Sequence, residues 1–158
     1  MDAAIPHEAP DGSEPGRAAG PISSLIPSVA KAHRKLAGSL LQEHGLSAGQ
    51  ELVLMLLWES SPRTQADLTR LLRVEPPTTA KTLARLERSG FITRERSEAD
   101  RRVVLVSPTD AGRRLEDGVL AAWARLEDRT TRDLSPGERD QLRDLLARVS
   151  ATLTDESD

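Results

Sequence analysis

The 158-residue chain contains no cysteine and no tyrosine, and its whole aromatic content is Phe91, Trp58 and Trp123. Without cysteine there is no disulfide framework, no thiolate zinc site and no cysteine-based redox sensing. So few aromatic side chains leave leucine, alanine and valine to fill the interior, a balance that suits a mainly helical protein. No apolar run approaches the roughly 18 residues that a membrane span needs. The N-terminus lacks the basic-then-apolar pattern of a signal peptide, so a cytoplasmic protein without membrane contact is expected. The sequence also offers no Gly-rich phosphate loop, no Gly-x-Ser-x-Gly and no paired histidines in a metal motif. No enzyme activity, catalytic residue, metal or cofactor is therefore expected. The length suits about one domain.

What the chain does have is an uneven distribution of charge. From Ser61 to Ser107 there are 10 Lys/Arg against 6 Asp/Glu, while the remainder has 12 against 19, giving the net −3. The positive field steers phosphate to one region, and the acidic remainder keeps the rest of the molecule off a polyanion.

At the centre of the basic region lies EPPTTAKTLARLERSG, Glu75 to Gly90. Pro76 suits the first position of a helix, where the missing N–H costs nothing, and Glu75 places negative charge at the positive end of the dipole. Gly90 is a stop signal. Helical spacing puts Ala80, Leu83 and Leu86 on one side and Thr78, Lys81, Thr82 and Arg85 on another. Hydroxyls and cations on a helix match the acceptors and phosphates of a DNA major groove. An exposed basic face is more often a plain solvated surface, so the neighbouring sequence decides. Phe91 and Ile92 open an apolar-polar alternation, the polar run Ser97 to Arg102 follows, and Val103 to Val106 is β-branched and apolar. That is a hairpin with a basic tip. A helix-turn-helix followed by such a hairpin is a winged helix, one element for the major groove and the tip for the adjacent minor groove.

Along the chain, residues 1–20 lack apolar periodicity and read as a disordered tail. A helical stripe begins at Ile22 and runs through Ile26, Val29, His33, Leu36 and Leu40 to a stop at Gly45. Ser47 with Gln50 reads as a capping box for a helix whose LVLMLLW run is apolar nearly all round. Pro62 is a break. Thr64 with Asp67 caps a short helix in which Leu68, Leu71 and Leu72 face inward. Beyond the hairpin, Ser107-Pro108 with Asp110, or Thr109 itself, starts a long helix striped by Leu115, Val119, Trp123 and Leu126. Ser135-Pro136 with Glu138 opens a last helix striped by Leu142, Leu145, Leu146, Val149 and Leu153. The expected layout is a single domain over 21–158, with a winged helix-turn-helix at 47–107 between dimerisation helices at 22–44 and 109–153. These stripes exceed what one small module covers, so a second copy is expected against Ile22, Leu25, Ile26, Val29, Leu142, Leu145, Leu146, Val149 and Leu153.

From Ala99 to Leu115, ADRRVVLVSPTDAGRRL, and from Thr64 to Arg94, TQADLTRLLRVEPPTTAKTLARLERSGFITR, the chain resembles the MarR family of bacterial transcriptional regulators. Asp100-Arg101-Arg102 matches the family's Asp-x-Arg, Thr109 to Gly112 its helix-starting turn, and Leu86-Glu87 and Gly90 its helix end. Arg73 stands where a glycine is common, Pro76-Pro77 is unusual, and Pro108 replaces leucine. The resemblance spans about Ile22 to Leu153. It implies a homodimer on a pseudo-palindromic operator, most often a repressor released by a small aromatic or phenolic effector. It also implies that Thr78, Thr79, Lys81, Thr82 and Arg85 face the major groove and that Arg101 or Arg102 enters the minor groove. Thr64, Gln65, Pro77, Arg96 and Asp100 complete the expected DNA set, and His33, Trp58 and Trp123 are candidate effector contacts. The competing reading is a winged-helix protein-interaction module, which would expose apolar anchors on the recognition helix.

Overall fold

Local hydrogen-bonding signals set most element boundaries in the computed structural model, which describes residues 20–155. The predicted tail, apart from Gly20, lies outside the described residues. The chain divides at Arg34 into two units.

In the first unit, residues 21–24 form a turn in which the Leu25 N–H donates to the Ile22 carbonyl at 3.0 Å, and helix α1 (Leu25–Gln42) begins there. The helix thus starts three residues later than the stripe suggests, because the turn takes up Ile22 to Ser24. Ile22, Leu25, Ile26 and Val29 are all exposed, and His33 is half-buried.

The second unit takes in the rest of α1, where Ala37, Leu40 and Leu41 are buried. Gly45, at φ 72°, supplies the left-handed stop, and the Leu46 N–H closes back on the Leu41 carbonyl at 3.2 Å. Helix α2 (Gln50–Glu59) follows. Its capping box is only half formed: Gln50 Oε1 accepts from the Ser47 N–H at 2.7 Å, but no hydroxyl caps the helix. Gly49, left-handed at φ 99°, fills the cap position instead, and its N–H donates to Glu51 Oε2 at 2.6 Å. Glu51 is buried, and desolvation pushes its carboxyl up. Val53, Leu54 and Leu57 are sealed in the core, whereas Leu52 is exposed, so α2 is apolar nearly all round but is not buried on every side.

Two residues, β1 (Arg63–Thr64), then pair with a later strand, and α3 (Gln65–Leu72) begins on Thr64. The Thr64 hydroxyl accepts from the Asp67 N–H at 3.0 Å and donates to Asp67 Oδ2 at 2.8 Å. Leu68 is buried and Leu72 partly so, but Leu71 is exposed, against the inward orientation expected of it. Helix α4 (Pro76–Arg88) opens on Glu75 with Pro76 first and stops before Gly90 at φ 76°. Strands β2 (Ile92–Arg96) and β3 (Val104–Pro108) form the expected hairpin; with β1 they make an antiparallel sheet ordered β1-β3-β2.

The long helix expected after the hairpin is two. Thr109 caps α5 (Asp110–Arg113) by accepting from the Gly112 N–H at 3.0 Å, and α6 (Glu116–Thr130) begins after Arg114 and Leu115. Gly112 causes the break. Its carbonyl accepts from Trp58 Nε1 at 3.2 Å and from the Leu115 N–H at 3.3 Å, a tightened turn. A Cβ at Gly112 would lie 2.1 Å from the Phe91 carbonyl oxygen, so no other residue fits. Helix α7 (Pro136–Asp155) has the predicted capping box, with Ser135 N–H donating to Glu138 Oε2 at 2.8 Å and Glu138 N–H to Ser135 Oγ at 3.4 Å. Leucines, valines, alanines and one isoleucine from the end of α1, α2, α3, α4, β2, β3 and α6 share one buried cluster. No residue of α7 is buried.

Candidate nucleic-acid interface

Helix α4 owes its orientation to Leu83 and Leu86, both fully buried. Thr79, Leu83 and Leu86 lie at i, i+4 and i+7, so they share this inner face, and Thr79 is only 1 % exposed. The expectation that Thr79 faces the groove is therefore corrected: it points into the core, where its hydroxyl has no hydrogen-bond partner. The opposite face carries Pro77, Thr78, Lys81 and Arg85, all exposed, with Thr82 half-buried and its hydroxyl donating to the Thr78 carbonyl at 3.0 Å. Three hydroxyl or cationic groups thus project freely from about two turns.

The hairpin tip is held by its own backbone. The Val103 N–H donates to the Asp100 carbonyl at 2.9 Å, closing a four-residue turn, and the Ser97 N–H donates to the Val103 carbonyl at 2.9 Å. Asp100 fixes this turn by accepting from the Arg102 N–H at 2.9 Å; its ion pair with Arg102 Nε is longer, at 4.0 Å. The carboxylate shapes the loop and the guanidiniums stay outside, with the Arg102 side chain 96 % exposed and Arg101 exposed beside it. Arg96 turns back, donating from Nη1 to the Arg101 carbonyl at 2.6 Å.

Between α3 and the hairpin runs an open groove of about 600 Å³, lined by Thr64, Gln65, Thr69, Arg70, Pro76 and Arg102 among others. Thr64 spends its hydroxyl on capping α3, while Gln65, the first residue of that helix, lines the groove half-buried. Arg70, outside the expected set, also lines the groove; it is exposed and pairs with Asp67 at 3.1 Å. Thr64 first, then Arg70, hold the Asp67 carboxyl below its usual range. Its signal was available, because i,i+3 spacing from a capping acid puts a cation on the same side.

Residues 46–104 match the MarR family signature. A probable transcriptional regulator from Pseudomonas aeruginosa is similar in structure, with 31% identity and a TM-score of 0.76 over 81% of this chain and 96% of that one. The chain belongs to the MarR family. A mutant MarR from E. coli solved in complex with operator DNA aligns over 82% of this chain and 93% of its own, at 27% identity and a TM-score of 0.75. The organic hydroperoxide resistance transcriptional regulator of Bacillus subtilis (strain 168) is 38% identical over 78 residues, 49% of this chain and 53% of that protein, so the match spans about half of that relative. This MarR-family chain is a winged-helix, DNA-binding transcription regulator.

The remaining candidates fall elsewhere in this MarR-family fold. Trp58 and Trp123 pack half-buried against the core; Trp58 is tied to Gly112, and Trp123 Nε1 has no hydrogen-bond partner. Among the described residues no cluster of three or more His, Cys, Asp or Glu side chains is placed to hold a metal, and no helix is long and apolar enough to cross a membrane.

Proposed function

We propose that this protein acts as a homodimer that binds a pseudo-palindromic operator in the cytoplasm and represses transcription until a small aromatic or phenolic molecule releases it. The observation that carries the reading is the pairing of two exposed basic elements: the outer face of α4, with Thr78, Lys81 and Arg85, and the hairpin tip, with Arg101 and Arg102. The first is suited to the major groove, and the second, narrow and cationic, to the minor groove. Gln65 and Pro77 flank the same surface and complete the proposed contact set. Similarity to the operator-bound E. coli structure supports this use of the surface. Exposed leucines on α7, with Ile22, Leu25, Ile26 and Val29 in the first unit, support a dimer. Two copies would present recognition helices about one helical turn, near 34 Å, apart. A protein-interaction role is disfavoured because no large apolar side chain of α4 is exposed. The effector acts without thiol chemistry, since there is no cysteine to oxidise.

The test is fluorescence polarisation on a duplex that the protein itself selects from a randomised pool, against a scrambled duplex, over a salt series. Selective, salt-sensitive binding is expected. Arg102→Ala is expected to weaken binding and lower the salt slope by about one counterion while leaving the oligomeric state unchanged. Equal binding of the two duplexes at every salt concentration would rule the operator reading out.

A further inference from the structure

Strand alternation places Ile92, Arg94 and Arg96 on the same face of β2, where Ile92 is buried and Arg94 half-buried. Arg94 donates from Nε at 3.0 Å and from Nη2 at 2.5 Å, both to Oε2 of Glu87 on α4. That hydrogen bonding keeps the Glu87 carboxyl below its usual range. Two residues further along, Arg96 donates to the Arg101 carbonyl inside the tip. The recognition helix, the strand and the wing tip are thus joined in series: Glu87 to Arg94 at one end, Arg96 to Arg101 at the other.

We propose that Arg94 and Arg96, with Glu87, are positioning residues that hold the wing tip at a fixed offset from α4 and so set how sharply the protein distinguishes its operator from other DNA. The proposal rests on the operator reading above. Non-specific binding draws on phosphate contacts, which tolerate a range of tip positions. Sequence-specific binding requires helix and tip to engage both grooves together, and a wing that must first be ordered loses affinity only there. Both arginines sit in the basic region, yet each donates within the chain, half-buried Arg94 to Glu87 and exposed Arg96 to the Arg101 carbonyl. A guanidinium forked onto one carboxylate has its orientation fixed. A tip whose backbone carbonyl is held by Arg96 keeps Arg101 in one place.

The experiment compares Glu87→Gln, Arg96→Ala and the double exchange Glu87→Arg with Arg94→Glu, each also made singly. Every variant is titrated against the selected and the scrambled duplex, with thermal melting in parallel. Removing the negative charge of Glu87 would, through electrostatics alone, tighten binding to both duplexes. The positioning role reverses the sign on one: Glu87→Gln is expected to bind the selected duplex about tenfold more weakly and the scrambled duplex no less tightly. The exchanged pair is expected to recover affinity that both of its single variants lose. Arg96→Ala is expected to lose affinity for the selected duplex only, with an unchanged salt slope on the scrambled one.

Tighter binding of Glu87→Gln to both duplexes overturns the proposal, and so does an exchanged pair no better than the sum of its singles. An Arg96→Ala protein weakened equally on both duplexes, with its slope reduced by about one, makes Arg96 a phosphate contact instead. These outcomes leave the operator reading intact. A wild-type protein that selects no sequence from the pool removes both.

Discussion

Helices α4 and α7 are built on one plan and end in opposite situations. Each starts with a proline at its first position, and each lines up apolar residues along one side. In α4 that side is sealed within the chain, with Leu83 and Leu86 fully buried. In α7 it is open, from Leu142 at 37 % exposure to Leu146 at 58 %. An apolar stripe states that a face is to be covered and does not say by what. The polar faces differ too. Those of α7 are laced with internal ion pairs, Arg143 to Asp140 at 3.0 Å and to Asp144 at 3.2 Å, whereas the cations of α4 that face outward, Lys81 and Arg85, carry no such pairing. One helix therefore offers charge and hydroxyls to a partner, and the other offers hydrocarbon.

The sharpest way to break the comparison is to cut the same amount of side chain from each stripe. Leu83→Ala in α4 removes a fully buried residue and is expected to cost about 3 kcal/mol at any protein concentration. Leu146→Ala in α7 is expected to lower the melting temperature only at concentrations where the dimer is populated, converging on wild type when diluted. Calorimetry across a hundredfold dilution, about the range over which a linked equilibrium shifts visibly, reads both. A wild-type melting temperature independent of concentration would mean that α7 is not covered by a second copy.

A smaller but more specific effect comes from placing charge on the open face. Leu145→Glu with Leu146→Glu is expected to leave the helical content unchanged and to give a monomer by light scattering. Operator binding should then fall by about a hundredfold, since each half-site contact would no longer assist the other. Monomers that bind the operator as tightly as wild type would separate dimerisation from recognition.

The features legible in the sequence are those fixed by local chemistry. The Thr64–Asp67 and Ser135–Glu138 caps, the Glu75-Pro76 start of α4, the Gly45 and Gly90 stops and the hairpin all follow from residues within a few positions of one another. The exposed cations of α4 and of the tip were legible for the same reason, because helical and strand periods place them. What escaped depends on distant contacts. Strand β1 is two residues long and exists only because β3 pairs with it. The break between α5 and α6 follows from Phe91 and Trp58 meeting Gly112. The use of Arg94 and Arg96 as donors within the chain depends on Glu87 and on a backbone carbonyl in the tip. Each was hidden because the residue's own identity, a basic or small side chain, fits more than one role.

The smallest expected effect tests where the two faces of α4 divide. The resemblance places Thr79 at the groove, whereas the side chain lies in the core with its hydroxyl unpaired. Valine has nearly the shape of threonine and the same β-branched rotamer restriction, so Thr79→Val exchanges a buried unpaired hydroxyl for a methyl group and little else. Leaving a buried polar group unsatisfied costs about 1–3 kcal/mol, and part of that should return as stability, on the order of 1 kcal/mol or less. Operator affinity should not change, since the side chain does not reach the outer face. A Thr79→Val protein that melts like wild type but binds the operator more weakly would return Thr79 to the DNA-facing set and move the boundary of the recognition face by one residue.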